Sequence, residues 1–189
     1  TSVTANTRTL LAINNVGGVV TVIAATGDGT GTVYKSTDGG LTWPTTLTAG
    51  NGFCNPQCFY DLAVAIDPSD NQKVYLAGSP AAVFRRSTNG GTTFASASSG
   101  LHVDSHAIAL APSDSKIVYF GSDGGIWRTN DVTATTVSWT SLNTGTFSAT
   151  QFQGLTLHPT DRWAMLGGTQ DNGTEYYLQN GTAWIRSDG

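Results

Sequence analysis

At 189 residues the chain can bury a substantial core, yet only 12% of it is charged and the formal net charge is −4. That balance argues against a nucleic-acid partner, which wants a basic face, and no apolar run approaches the ~20 residues of a membrane span. Twelve Asp against one Glu (Glu175), with 23 Gly, is a composition of turns and strands rather than helices.

In chain order, alternation and turn signals predict four groups of four strands, A to D. The first has strands at 8–14, 19–26, 32–36 and 42–47. The second has them at 60–66, 74–78, 82–87 and 93–98. The third has them at 106–111, 117–121, 125–129 and 138–142, and the fourth at 152–158, 163–167, 174–178 and 183–187. The repeat itself is visible in LAVAIDPSDNQKVYLAGS (62–79), AIALAPSDSKIVYFGS (107–122) and GLTLHPTDRWAMLGGT (154–169). Each is an alternating strand, a Pro-[Ser/Thr]-Asp turn and a second apolar strand. Pro68, Pro112 and Pro159 set a period of 44 to 47 residues. That period suits a four-stranded blade, so the expected fold is all-β: a β-propeller with blades at 8–47, 60–98, 106–142 and 152–187. No helix is expected.

The C-to-D hairpins of the first two blades carry one motif. STDGGLTW (36–43) and STNGGTTF (87–94) start 51 positions apart. Asp38 can accept backbone hydrogen bonds from its own turn, the glycines allow positive φ, Ser36 and Thr42 flank the turn with hydroxyls, and Trp43 can cover it. Ser87, Asn89, Gly91, Thr93 and Phe94 repeat the roles of Ser36, Asp38, Gly40, Thr42 and Trp43. These residues are read as structural. Trp139 and Trp184 keep the aromatic position in the later blades.

In a propeller the D-to-A and B-to-C loops share one face, and loops on a rigid scaffold carry function. The unusual residues fall there. CNPQCFYD brings Tyr60 and Asp61, LHVDSH brings His102, Asp104 and His106, and GSDGGIW brings Asp123. GTQDNGT brings Gln170, Asp171 and Asn172, and GDGTG brings Asp28. On an extended segment His102, Asp104 and His106 would share one side and could bind a divalent metal. Asp104, Asp123 and Asp171 could bind calcium with backbone carbonyls, or serve as acid and base toward a glycoside. The plainer alternative is that they hydrogen-bond loop backbone. No cofactor is required by these residues. Cys54 and Cys58 are read as a disulfide closing a small loop in an exported protein, with two free thiols as the alternative.

With the two eight-residue motifs, HVDSH, SDGGIWRT (122–129) and GGTQDNGT (167–174) in view, the chain resembles the Asp-box propellers. These carry the bacterial neuraminidase repeat, are sialidase-like or sortilin-like, and are often labelled glycosyl hydrolases of secreted proteins. The resemblance implies six to eight blades or more, hence further blades in the same or a partner chain, with a closed four-blade ring as the alternative, and a secreted or cell-surface location. Xyloglucanases of this kind carry a catalytic Asp in T-D-[IV]-G-G-A-Y-R. SDGGIWR is similar but one residue shorter, which makes Asp123 the candidate catalytic carboxylate. The expected function is a module binding a glycan or protein surface. The alternatives are a glycoside hydrolase whose site is shared with other blades and a structural part of a large surface assembly.

Overall fold

The computed structural model describes residues 7–144, 152–161, 163–169, 173–177 and 184–186. Every strand falls in one of four antiparallel four-stranded sheets, each ordered as the chain runs. The first sheet holds β1 (Thr9–Val16), β2 (Val19–Thr26), β3 (Thr32–Ser36) and β4 (Thr45–Thr46). The second holds β5 (Ala63–Asp67), β6 (Asp70–Ala77), β7 (Arg85–Ser87) and β8 (Ala95–Ser96). The third holds β9 (Ser105–Ala111), β10 (Asp114–Ser122), β11 (Gly125–Thr129) and β12 (Thr140–Ser141). The fourth holds β13 (Phe152–Leu157), β14 (Met165–Thr169), β15 (Gly173–Tyr177) and β16 (Ile185–Arg186). Among the described residues there is no α-helix; two short 3-10 turns occupy Thr48–Gly50 and Pro80–Ala82.

The chain packs as two units, Thr1–Phe147 with three sheets and Ser148–Gly189 with the fourth. In the first unit β5 lies between β1 and β9, so the first strands of three sheets run side by side. Alternation then sends one side chain toward the preceding sheet and the next toward the following one. Ile23, Ala25, Leu62, Ile66, Val74 and Leu76 fill the layer between the first and second sheets. Ala63, Ala65, Tyr75, Phe84, Val118 and Phe120 fill the layer between the second and third. Each fully buried Leu, Ile or Phe contributes about 1.5–3 kcal/mol. Polar ties cross the same layers. Asn14 Nδ2 donates to the Asp67 carbonyl at 2.7 Å, Lys35 Nζ to the Gly90 carbonyl at 3.2 Å, and Trp139 Nε1 to the Ala97 carbonyl at 2.7 Å. Arg86 donates to the carbonyls of Val132 and Thr135.

The repeated motif forms a closed hydrogen-bonded clip. Ser36 Oγ donates to Asp38 Oδ1 at 2.6 Å and accepts the Gly40 N–H at 2.9 Å. Asp38 in turn accepts the N–H of Thr42 at 2.9 Å and its hydroxyl at 2.6 Å. Gly39 and Gly40 take φ of 75° and 91°, where a side chain would be strained. The hydrogen bonds from Ser36 and Thr42 hold the Asp38 carboxyl down at about 2. Ser87, Asn89, Gly91 and Thr93 repeat the clip, with the Asn89 amide donating to Thr93 Oγ1 at 2.9 Å.

Strands A, B and C match the expected positions to within a few residues, with physical reasons for the shifts. The fourth strands are two residues long in every blade, and in the first two Thr42 and Thr93 fall in the clips rather than in a ladder. The second blade begins at Ala63, not at 60, because the N–H groups of Tyr60 and Asp61 both donate to the Gln57 carbonyl. Its third strand begins at Arg85, not at 82, because the chain first makes the turn at Pro80–Ala82. The second strands begin early, at Asp70 and Asp114, because the Pro-Ser turns are tight.

Candidate functional site

The site starts in a strandless loop, 51–61, that enters the second blade. Cys54 and Cys58 are joined by a disulfide, and Phe53 and Cys54 are fully buried. Three glycines admit this loop between two blades. A Cβ on Gly27 would collide with the Cys58 carbonyl, one on Gly31 with the Cys54 sulfur, and one on Gly78 with the Phe53 carbonyl. The Gly52 N–H donates to the Gly31 carbonyl at 3.0 Å, and Ser79 Oγ donates to the Asn55 carbonyl. The loop thus delivers Phe59, Tyr60 and Asp61 to the D-to-A face. The Arg8 guanidinium donates to the Tyr60 carbonyl at 2.5 Å.

The third blade supplies the other half. Asp104 has φ 62°, the one positive value outside glycine among the described residues, and Asp tolerates this region better than most. Its carbonyl accepts the Asp123 N–H at 3.2 Å, which ties the two loops together. Ser105, fully buried, donates its hydroxyl to the Val83 carbonyl at 2.9 Å. On the far side of Asp123, Asn143 clamps the glycine pair: it accepts the Ile126 N–H and donates to the Gly124 carbonyl, both at 2.9 Å.

Five of the expected residues meet here. His106 Nε2 lies 2.5 Å from Asp123 Oδ1, and the Tyr60 hydroxyl reaches the same oxygen at 3.4 Å. The Tyr60 ring meets the His106 ring edge-on, with centroids 4.6 Å apart. Behind them Asp61 is fully buried, and among the described residues neither of its carboxyl oxygens receives an N–H or hydroxyl. Its neighbour is another carboxyl, Asp104, so a hydrogen bond between the two exists only when one holds a proton. Burial first, then Asp104 and Asp123, push the Asp61 carboxyl up to about 7, against the opposing charge of Arg8. The site thus holds one carboxyl raised into the range in which acid–base chemistry works.

The solved structures similar to this chain fit this geometry in fold. No protein-family model and no curated protein matches the chain. The GH74 enzyme of Niastella koreensis is similar at 18% identity and a TM-score of 0.51, over 93% of this chain and 29% of that one. The chain is a run of β-propeller blades. An ancestral GH74 enzyme is similar at 16% identity and a TM-score of 0.48, over 88% of this chain and 22% of that one. The structure of YCF48 bound to D1 peptide is similar at 15% identity and a TM-score of 0.49, over 96% of this chain and 57% of that one. The propeller described here thus spans 29% of the length of the Niastella koreensis chain.

Within these propeller blades His102 does not line up with Asp104 and His106. The strand starts only at Ser105, and the positive φ of Asp104 breaks the extended path that would have aligned the three side chains. His102 instead is exposed. Its ring stacks on Trp127 at 6.5 Å between centroids, and its Nδ1 donates to the Val103 carbonyl at 2.9 Å. Among the described residues no three His, Cys, Asp or Glu side chains are grouped to hold a metal. Asp28 lies apart, in the B-to-C turn of the first blade, where its carbonyl accepts the Gly31 N–H. Gln170, Asp171 and Asn172 lie outside the described residues. Two participants escape a reading of the sequence: Arg8, on the preceding blade, and Phe59, 78% exposed beside Tyr60 at 6.4 Å between ring centroids. The aromatic pair in CFYD was the signal available for Phe59.

Proposed function

We propose that this chain is a stretch of an exported Asp-box β-propeller whose D-to-A face binds a glycan at Tyr60, Asp104, His106 and Asp123, with Asp61 buried behind them. The observation that carries the reading is Phe59, a large apolar ring held in solvent at the rim of a carboxyl-rich cluster. A sugar ring presents one apolar face and a set of hydroxyls, so an aromatic platform next to carboxylate acceptors suits it. The disulfide supports export to an oxidising compartment. Leu11 and Ile13, 64% and 65% exposed on the first blade, support a cover of further blades from the same or a partner chain.

Calorimetry of the chain with xyloglucan oligosaccharides and cellohexaose tests the reading. Phe59→Ala and Asp123→Asn each should weaken binding about tenfold or more, as loss of a stacking or charged contact does. Binding indifferent to both substitutions would end it.

A second reading, a glycoside hydrolase with Asp123 as one carboxylate, is favoured by the raised Asp61 carboxyl beside Asp104 and Asp123. Release of reducing ends from xyloglucan, abolished in Asp123→Asn, would select it over simple binding.

A further inference from the structure

The Asp61 side of the site hangs from a segment with no ladder of its own. Residues 51–62 carry no strand. Their order comes from a few hydrogen bonds, from the glycine notches at Gly27, Gly31 and Gly78, and from one covalent link. That link ends at Cys58, two residues before Tyr60. Between Cys58 and the strand that starts at Ala63, the N–H groups of Tyr60 and Asp61 share one acceptor, the Gln57 carbonyl, at 2.8 and 2.9 Å. Gln57 itself lies inside the disulfide ring. Holding that ring shut therefore holds the acceptor on which the backbone of both site residues turns.

We propose that the Cys54–Cys58 disulfide is a positioning element of the ligand site: by fixing Gln57 it sets Tyr60 against His106 and Asp123, and presents Phe59 to the ligand. The proposal rests on the reading that this face binds a glycan. It assigns the disulfide a role in the site beyond its share of the core. The sheets of the first two blades are closed by their own ladders, and Cys54, Cys58 and Phe53 share the apolar layer with Ile23, Leu62, Val74 and Leu76. Opening the ring frees the backbone of residues 54–58 next to the site. Phe59 and Tyr60 must then be ordered anew at each binding event.

The test compares the wild-type chain with Cys54→Ala/Cys58→Ala. Its first readout needs no ligand. The chain has three histidines, His102, His106 and His158, whose ring protons are assigned by single substitution. The Tyr60 ring edge-on to His106 displaces the His106 ring signals in the wild type, and Tyr60→Leu calibrates that displacement. The disulfide-free variant should unfold cooperatively, lose the His106 displacement, and leave His102 and His158 unchanged. Its Kd for xyloglucan oligosaccharides should rise about tenfold, the cost of re-ordering two aromatic side chains. Should the variant not fold, the wild type opened by a phosphine reductant under native conditions gives the same readouts. Unchanged His106 signals in a folded, disulfide-free chain would overturn the proposal. So would loss of cooperative unfolding in both forms, since the bond would then be a staple of the fold. If His106 shifts as expected but the wild type binds no glycan, the positioning role stands and the glycan reading fails.

Discussion

The carboxyl group of Asp61 faces that of Asp104, and among the described residues neither Asp61 oxygen has another hydrogen-bond partner. An acid in that setting keeps its proton until about pH 7, whereas in the unfolded chain it titrates near ~3.9. Between those values the folded state holds a proton that the unfolded state has released. This group's contribution is therefore full below about pH 4 and is lost as pH rises to about 7. The difference amounts to at most about 4 kcal/mol. Urea midpoints between pH 4 and 8 should fall with rising pH in the wild type and stay flat across that window in Asp61→Asn. A wild-type slope that survives in Asp61→Asn would assign the titration to another group.

Carboxyls elsewhere pull the opposite way at lower pH. Asp67 is buried, which by itself would raise its pKa, but hydrogen bonds from Ser115 and Ser69 and the charge of Lys73 outweigh burial and lower it. Asp38 is depressed to about 2 by its clip. Depressed acids stabilise the fold above their unfolded pKa, and that contribution is lost as pH falls through the folded value. Asp38→Ala should lower the melting temperature at pH 7 and by less at pH 2. Asp38→Asn should lose less than Asp38→Ala, because Asn89 already completes the same clip in the second blade. Equal losses for Ala and Asn would mean that the charged carboxylate, and not the clip geometry that Asn89 shares, carries the stability.

How much of this was legible depended on which residues carry local rules. Period-two alternation marked β1 to β3 and β9 to β11 because successive side chains of a strand point to opposite faces of its sheet, whether or not the far face is covered. Tyr60, Asp61, Asp104, His106 and Asp123 could be gathered because propeller loops alternate between faces. The side on which His102 falls is not legible in the sequence, because it turns on the left-handed φ of a single residue, Asp104. Arg8 was out of reach: its bond to the Tyr60 carbonyl spans 52 positions and depends on the fold.

Trp139 illustrates a tie that lies between blades. Its ring packs edge-on against Phe84 at 5.0 Å, and its indole N–H reaches the Ala97 carbonyl of the preceding blade at 2.7 Å. Trp139→Phe keeps most of the packing and removes the donor, leaving a half-buried carbonyl with one partner fewer. We expect a loss of about 1–2 kcal/mol by urea denaturation. Trp139→Ala, which also removes the ring, should cost about 3–5 kcal/mol. Near-equal costs would place the stability in the hydrogen bond rather than in the aromatic layer.

The first blade offers the sharpest comparison of equivalent positions. Ile13 stands opposite Val22 in β1 and β2, as Ile66 stands opposite Val74 in β5 and β6. Ile66 is 6% exposed against the preceding blade, whereas Ile13 is 65% exposed and Leu11 64%. The same side-chain type at the same point of the repeat is thus covered in one blade and bare in the other. In this chain Ile13→Ala should stay within about 0.5 kcal/mol of the wild type, as surface substitutions do. Ile66→Ala should cost about 2–5 kcal/mol, the range for a buried aliphatic side chain cut back to a methyl. Urea denaturation at low protein concentration measures both. A cost at Ile13 that approaches that at Ile66, and grows with protein concentration, would mean that a second copy covers the face in solution. A small cost at every concentration leaves the apolar seat open for a further blade.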